Sequence, residues 1–172
     1  MSDFDPKVVS AVLERGCKAY EDAPMCELAV LLSVIRAENF IHQAHHWQTR
    51  GPNFYSDHLM YERIYKATVK DIDALAERAA GLGDYALVNP VVTSQQVSDL
   101  VKAMIGSNAS GNVEQYVLRS LQATSMTIGM VKAVSEVLSK KGKLTDGTAN
   151  LVQQIADNQE SHMYLLRQRA KA

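Results

Sequence analysis

The sequence predicts an all-α protein in which four long helices form a bundle, with a short extra helix in the crossover between the second and the third. Residues that favour helices are abundant, whereas only 6% of the chain is aromatic and four residues are proline. Apolar residues recur at intervals of three and four along four long segments, which indicates helices with one buried face. At 172 residues the chain has the length of one domain. We therefore take residues 1–172 as a single domain with a short N-terminal extension over residues 1–20.

The first half of the chain contains the first two long helices. A short helical lead-in over residues 6–20 precedes a helix predicted over residues 24–49. The second long helix is predicted over residues 54–82, because the Arg-Gly-Pro-Asn segment before it interrupts the pattern and glycines mark its end. The apolar positions that define the two helices are Leu28, Leu31, Leu32 and Ile35 in the first, and Leu59, Ile64, Ile72, Leu75 and Ala76 in the second.

The crossover contains a short helix and a loop. A linker passes through Pro90 to the pattern Thr-Ser-Gln-Gln, which resembles a capping box and predicts that a helix starts at Thr93. We expect this helix to end at about Ile105. Residues 106–111 are rich in glycine, serine and asparagine and are predicted to form a loop.

The last two long helices follow this loop. The third is predicted over residues 112–141, where Gly142 ends it. Thr145 is expected to cap a fourth helix that extends past Leu166. Their inward positions are Val117, Leu121, Ile128, Val131, Val134 and Leu138 in the third helix, and Leu151, Ile155 and Leu165 in the fourth.

The connections between these helices indicate a topology. They are tight between the first and second helices and between the third and fourth, but the crossover between the second and third is long. A ferritin-like four-helix bundle has this pattern. Periodicity determines helix faces and lengths but not connectivity, so other all-α arrangements stay open until the spacing of candidate metal ligands is considered.

Charge and cysteine content exclude several classes of protein. A formal net charge of −1 argues against a nucleic-acid binder whose whole surface is basic. Cys17 and Cys26 do not have the spacing of a C-x-x-C motif and are too few for a disulfide scaffold, so we predict reduced thiols. The N-terminus has acids where a secretory signal has basic residues, and no apolar run is long enough for a membrane span. We therefore expect a cytoplasmic protein without a membrane partner.

Three candidate metal ligands lie around the turn between the first two long helices. His46 and His58 are equally far from a turn centred near Pro52, so antiparallel packing of the helices would place them level with each other. Glu62 is one helical turn beyond His58 and adds a carboxylate on the same side. Imidazoles with a carboxylate suit iron, zinc or manganese, and three ligands leave coordination positions open.

Asp73 and Glu77 are two further candidate ligands on the second long helix. About 22 Å of helix separates them from His58 and Glu62, so a second copy of the chain would have to supply them. If two copies of this helix pair antiparallel about a two-fold axis, His58 faces the partner's Glu77. Antiparallel pairing about a two-fold axis brings together residues whose numbers add to one constant. Glu62 then faces the partner's Asp73, because this pair of residue numbers has the same sum as the first pair.

The axis of such a dimer would cross near Ala67 and Thr68, whose small side chains would let the helices approach closely. A dimer of this kind carries two identical sites. A di-iron site inside one chain would instead need Glu-x-x-His motifs on two helices, and the sequence contains none. The metal site is therefore predicted either to be shared between subunits or to be absent.

The neighbouring ring side chains carry weaker signals. Trp47 either lies beside the metal site or is a bulky core residue that closes the turn between the first two helices. His42 and His46 have the spacing of a metal pair, but we expect surface or supporting roles for His42 and His45. His162 has no comparable partner pattern and is predicted to be structural.

The segments HHWQTRGPNFYSDHLMYE, DIDALAER and TDGTANLV resemble the Dps proteins, the DNA-protecting proteins of starved cells. The resemblance extends from the first long helix to the end of the fourth. It implies that ferrous iron binds at a two-fold interface, with Trp47 beside it. The implied ligands are His46, His58 and Glu62 of one subunit and Asp73 and Glu77 of its two-fold mate.

The same resemblance implies a hollow homododecamer that works as a ferroxidase. Fe(II) would be oxidised, preferably by hydrogen peroxide, and the ferric mineral stored in the cavity, which removes both reagents of hydroxyl-radical chemistry and so protects DNA. The chain departs from the family pattern at three positions. Glu62 stands where the family usually has Asp, while Thr49 and Asp57 stand where it usually has apolar residues.

DNA binding has less support in this chain. Many members use a lysine-rich N-terminal tail to neutralise phosphate, whereas residues 1–12 contain one basic residue, Lys7. A basic C-terminal run of Arg167, Arg169 and Lys171 could contact phosphates, and the copies in an assembly would add their weak contacts. The alternative function is a structural or DNA-condensing cage whose metal site has low or no turnover. Association with the nucleoid is an open alternative for the cytoplasmic location.

Overall fold

A computed structural model describes residues 5–106 and 111–171, so the predicted loop over residues 106–111 lies mostly outside the described part. The described chain is helical throughout, and its connections contain one short 3-10 turn, Tyr85–Val88. The helices are α1 (Pro6–Ala19), α2 (Cys26–Gln48), α3 (Phe54–Leu82), α4 (Pro90–Ile105), α5 (Val113–Lys140) and α6 (Asp146–Arg169).

Four of these helices form the bundle. α2 packs against α3 and α5, and α6 packs against both α5 and α3. The 3-10 turn and α4 form the long crossover from α3 to α5, and α4 lies against α2 and α5. The predicted all-α fold, a four-helix bundle with a short extra helix between its second and third members, is confirmed. No helix of the described ranges combines the length and the apolar character needed to cross a membrane.

The ends of the helices follow local capping chemistry. α6 starts where predicted, because the Thr145 hydroxyl accepts a hydrogen bond from the Thr148 amide. The predicted start of α4 at Thr93 is wrong: the helix begins at Pro90, and the Asn89 side chain caps it. An asparagine before a proline at the first helical position caps the free backbone amides of a helix start better than the later Thr-Ser-Gln-Gln pattern does.

α2 lies at the centre of the molecule. Every residue from Leu28 to Ile35 is buried, which a bundle helix with one inward face does not require. α1 and α4 supply the additional cover, because both pack on α2 outside the bundle. The N-terminal helix is thus part of the core rather than a detached extension.

Cys17 and Cys26 form a disulfide, so the prediction of reduced thiols is wrong. The bond joins α1 to the first residue of α2. Sequence spacing did not reveal it because the two Cα atoms come within 5.1 Å only when α1 folds back over α2, a separation that a disulfide spans.

The polar residues at two usually apolar positions have identifiable partners. The Thr49 hydroxyl donates to the carbonyl of His46 at the end of α2. Asp57 is 1% exposed and accepts two hydrogen bonds from the Arg169 guanidinium, at 2.6 and 3.2 Å. Arg169 also donates to Glu114 on α5. The Arg169 guanidinium therefore connects α6 to α3 and α5, whereas phosphate contact by the basic C-terminal run stays a prediction.

Replacing Arg169 by Met should destabilise the protein by about 3 kcal/mol or more, because the buried Asp57 carboxylate would lose its counter-charge. The matched control is Arg167→Met, which removes an exposed cation two residues away and should change stability by no more than about 0.5 kcal/mol. Urea unfolding followed by circular dichroism measures both. Equal unfolding midpoints for the two variants would show that the ion pair does not hold the helix end.

Candidate functional site

The end of α2 and the start of α3 bring His46 and His58 into contact. Their ring centroids are 3.7 Å apart and their planes are 26° from parallel. The turn between the helices passes through Gly51, whose φ of 84° lies in the left-handed region. Glycine adopts this backbone conformation at little energetic cost. The tight turn therefore places the two imidazoles level with each other, as antiparallel packing requires.

Hydrogen bonds determine which ring nitrogens are free. His46 Nδ1 lies 2.9 Å from the His58 carbonyl oxygen, and His58 Nδ1 lies 3.1 Å from that of His46. A carbonyl oxygen only accepts, so both Nδ1 atoms carry the proton and donate. The Nε2 atom of each neutral ring then carries the lone pair that a metal ion needs.

Glu62 lies close to the two histidines but is paired with Lys66. The Lys66 ammonium donates to the Glu62 carboxylate from one helical turn further along α3. This hydrogen bond and the charge of Lys66 lower the pKa of Glu62, and His46 and His58 add smaller contributions in the same direction. Lys66 is not among the predicted site residues, although a Glu followed four residues later by Lys is a recognisable helical ion pair.

Asp73 and Glu77 lie further along the same unbroken helix and point to solvent. Neither forms a hydrogen bond or ion pair with another residue that the structure describes. About 22 Å of helix separates them from His58 and Glu62. The structure thus brings His46, His58 and Glu62 together in one chain and leaves the two later carboxylates apart from them.

Exposed apolar side chains surround these groups on the outer face of α2 and α3. Phe40 and Trp47, seven residues apart and so on one side of α2, are 53% and 66% exposed. Val69 is 52% exposed on α3. At this exposure Trp47 is not a core residue of the chain, so that alternative is excluded.

The residues predicted to lie at the dimer axis need correction. Thr68 is fully buried, and its hydroxyl donates to the Ile64 carbonyl inside the bundle. Position along a helix does not determine the direction of a side chain, which for Thr68 is into the bundle. Lys66 and Val69, whose residue numbers have the same sum as those of the predicted pairs, are exposed on α3.

Inside the bundle, a group of buried polar side chains lies where the sequence predicted none. Glu38, His42 and His45 face inward from α2 and are at most 1% exposed, so the predicted surface role of His42 and His45 is wrong. Glu38 accepts a hydrogen bond from Thr124, and His45 Nδ1 lies 2.8 Å from the Ser120 hydroxyl. The spacing of four and three residues carried this signal, because it places Glu38, His42 and His45 on one face of α2.

Burial changes the titration of this interior group. It raises the pKa of Glu38 to about 7 and lowers the pKa values of His45 and His162 to about 4. The pKa of His42 is also well below its ordinary value, mainly because of burial. Within the described residues, these side chains do not form a cluster of three ligand atoms compact enough for a metal ion. The interior therefore favours neutral forms rather than a preformed metal site.

Glu38→Gln should change how stability depends on pH. Because the pKa of Glu38 is raised in the folded state, its contribution is fully present below its ordinary pKa of 4.5 and is lost as the pH rises through about 7. Relative to the variant, the wild type should therefore lose up to about 3 kcal/mol between about pH 5 and pH 8. Urea unfolding at both pH values measures this difference.

The buried histidines titrate in both proteins, so the comparison isolates Glu38. Glu136→Gln on α5 is the control, because that glutamate is exposed. If the difference in stability between the wild type and Glu38→Gln did not change with pH, the result would contradict the inference that burial keeps the Glu38 carboxyl group neutral.

Comparison with known proteins places these features in a family context. The family model described as Ferritin-like domain matches residues 37–171, the part that contains the candidate ligands. "DNA protection during starvation protein 2" of Bacillus anthracis is 27% identical over 125 residues, which are 71% of this chain and 79% of that protein. "DNA protection during starvation protein" of Brevibacillus brevis is 24% identical over 121 residues, 70% of this chain and 76% of that protein.

Solved structures show the same fold. Dps from Thermosynechococcus elongatus aligns with a TM-score of 0.68 at 20% identity, covering 90% of this chain and 93% of the other. DpsC from Streptomyces coelicolor gives 0.73 at 21% identity, with 84% and 81% covered. An archaeal dps-homologue from Halobacterium salinarum gives 0.72 at 16% identity, with 91% and 81% covered. At these identities the likeness concerns the fold alone.

Proposed function

The chain belongs to the ferritin-like family, in its Dps branch, and we propose from this membership that it is an iron-storing ferroxidase that protects DNA from oxidative damage. The observation that carries the proposal is the stacked pair of His46 and His58, whose bonded Nδ1 atoms leave both Nε2 atoms to bind metal. Glu62 beside them supplies a carboxylate. This is a ligand set suited to ferrous iron, and zinc or manganese could occupy the same position.

The proposed reaction uses iron as substrate and hydrogen peroxide as the preferred oxidant. Two ferrous ions each lose one electron, and one peroxide accepts both electrons as its O–O bond breaks. With two waters, the products are two ferric oxyhydroxide units and four protons. Each turnover consumes both reagents of hydroxyl-radical chemistry, and the carboxylates favour the harder ferric product.

The chain contains two halves of a site rather than a complete one. We propose that a two-fold partner brings its Asp73 and Glu77 to His46, His58 and Glu62, so that each dimer has two sites. Three features support this pairing: the exposed apolar side chains on the outer face of α2 and α3, the unpaired carboxylates, and the register of α3.

Such dimers would assemble further into a hollow cage, for which we propose a homododecamer in the cytoplasm with ferric mineral inside. Direct DNA binding is not needed for protection by this route. Of the basic C-terminal run, Arg169 is already engaged by Asp57 and Glu114. Protection would result from removing iron and peroxide, and any nucleoid association would depend on other cations.

A complementation experiment tests the shared site. His46→Ala with His58→Ala disables one half-site, and Asp73→Ala with Glu77→Ala disables the other, so each variant alone should lose at least about tenfold in the initial rate of peroxide-dependent Fe(II) oxidation. When the two are unfolded together and refolded as a mixture, mixed dimers regain one intact site of two. Random mixing should restore about a quarter of the wild-type rate.

The control for this experiment is Glu14→Ala with Asp99→Ala, which removes two exposed carboxylates on α1 and α4 and should leave the rate unchanged. Stopped-flow absorbance of the ferric product measures all of these proteins. Wild-type rates in both double variants would contradict the ferroxidase proposal, whereas low rates without recovery on mixing would contradict the shared site.

Lys66→Met should tighten ferrous binding. The ammonium competes with iron for Glu62, but its side chain is 62% exposed, so solvent screening limits the effect to about two- to fivefold. Anaerobic calorimetry with Fe(II) measures it, and Lys70→Met, one turn further along α3, is the control. Weaker binding in Lys66→Met than in Lys70→Met would show that Lys66 supports the site rather than competes for it.

The engagement of Glu62 by Lys66 also favours the second candidate, a structural or DNA-condensing cage with low or no turnover. The two functions differ in rate and not in assembly. A stable cage in which wild-type protein and the His46→Ala, His58→Ala variant oxidise Fe(II) equally slowly would support the second candidate.

A further inference from the structure

The junction of α1 and α2 contains a compact group of metal-ligating atoms outside the proposed iron site. The sulfur atoms of Cys17 and Cys26 and a carboxylate oxygen of Glu27 all lie within 4.8 Å of one another. All three residues are buried, and Glu27 is 2% exposed. Among the residues that the structure describes, this is the one group of three cysteine, histidine or acidic side chains with such spacing.

The carboxylate of Glu27 has unused capacity to bind a ligand. Lys141 donates a hydrogen bond to Oε1, whereas the buried Oε2 has no hydrogen-bond partner. A buried carboxylate oxygen without a partner is costly. A cation bound at this junction would satisfy it, and the disulfide that lies beside it offers no proton donor.

We propose that Cys17, Cys26 and Glu27 form a zinc site that binds the metal when the disulfide is reduced and releases it when the two cysteines are oxidised. Two thiolates with one carboxylate suit zinc, which prefers sulfur ligands in a four-coordinate site, with water in the fourth position. Cys26 is the first residue of α2, where the helix dipole favours the thiolate. The charges also balance, because zinc and Lys141 together neutralise two thiolates and the carboxylate.

The redox steps balance with two named reagents. A dithiol reductant is oxidised to its own disulfide as it transfers two electrons and two protons to the Cys17–Cys26 bond. Zinc then binds the two sulfurs and releases both protons. In reverse, hydrogen peroxide accepts two electrons from the bound thiolates and takes up two protons to form two waters, while the disulfide forms again and Zn²⁺ leaves. The junction would thus release zinc when peroxide rises.

This site does not depend on the proposed iron chemistry. Cys26 and His46 lie at opposite ends of α2, separated by about 30 Å of helix. All three ligands also come from one chain, so no partner subunit is needed. The His46→Ala, His58→Ala protein therefore retains the junction intact and isolates it from zinc binding at the proposed iron site.

Metal titration of the full chain in that double-variant background tests the proposal. After reduction with a phosphine under anaerobic conditions, we expect one zinc per chain, detected by competition with a chromophoric chelator. Cobalt(II) as a probe should give sulfur-to-metal charge-transfer absorption. Hydrogen peroxide should abolish this absorption and release one zinc per chain. Reduced protein without the absorption, or with the same zinc content after oxidation, would overturn the proposal.

Ligand variants identify the residues responsible. Cys17→Ser with Cys26→Ser should lose the bound zinc, and Glu27→Gln should weaken zinc binding by at least about tenfold. Asp22→Asn, which neutralises an exposed carboxylate in the same connection, is the control and should bind as tightly as its parent. If the double cysteine variant does not fold, Glu27→Gln and the cobalt spectrum decide. Unchanged affinity in Glu27→Gln would remove Glu27 from the site and overturn the three-ligand proposal.

Discussion

Two hydrogen bonds that cross the turn between α2 and α3 attach the candidate site to the backbone of the bundle. Each of His46 and His58 donates from Nδ1 to the main-chain carbonyl of the other. The carbonyl of His46 belongs to the last turn of α2, where helical carbonyls lack partners within the helix. The same contacts therefore complete a helix end, set the spacing of two helices and prepare two Nε2 atoms. Ligand geometry and helix packing cannot change independently here.

The sequence was most informative where a function requires fixed spacing along a helix. The positions of His46, His58 and Glu62 around a short turn were sufficient to predict which side chains meet, because helix rise and antiparallel packing are nearly constant. The same arithmetic was less successful for the predicted dimer axis, where it selected the buried Thr68. That residue shows why: position along a helix and direction around it are separate quantities, and Thr68 points into the bundle.

Other features depended on tertiary contacts that no local pattern contains. The bond between Cys17 and Cys26 requires α1 to fold back over α2, and Asp57 is acceptable in the core only because Arg169 arrives from the other end of the chain. The burial of His42 follows from the central position of α2. In each case the residue type alone suggested the wrong environment, and the tertiary packing decided it.

The two ends of α2 differ in what they need to become functional. At its C-terminal end, His46 belongs to the proposed half-site, whose metal chemistry would depend on a second subunit and on the register of α3. At its N-terminal end, Cys26 belongs to a group of three side chains from one chain, so the zinc binding proposed there would depend on the redox state of the cysteines rather than on assembly. Because α1, α3, α4 and α5 all pack on α2, both of its ends are held by the same core. A change in redox state at one end need not alter the ligand geometry at the other, since the His46 ring is held by local hydrogen bonds.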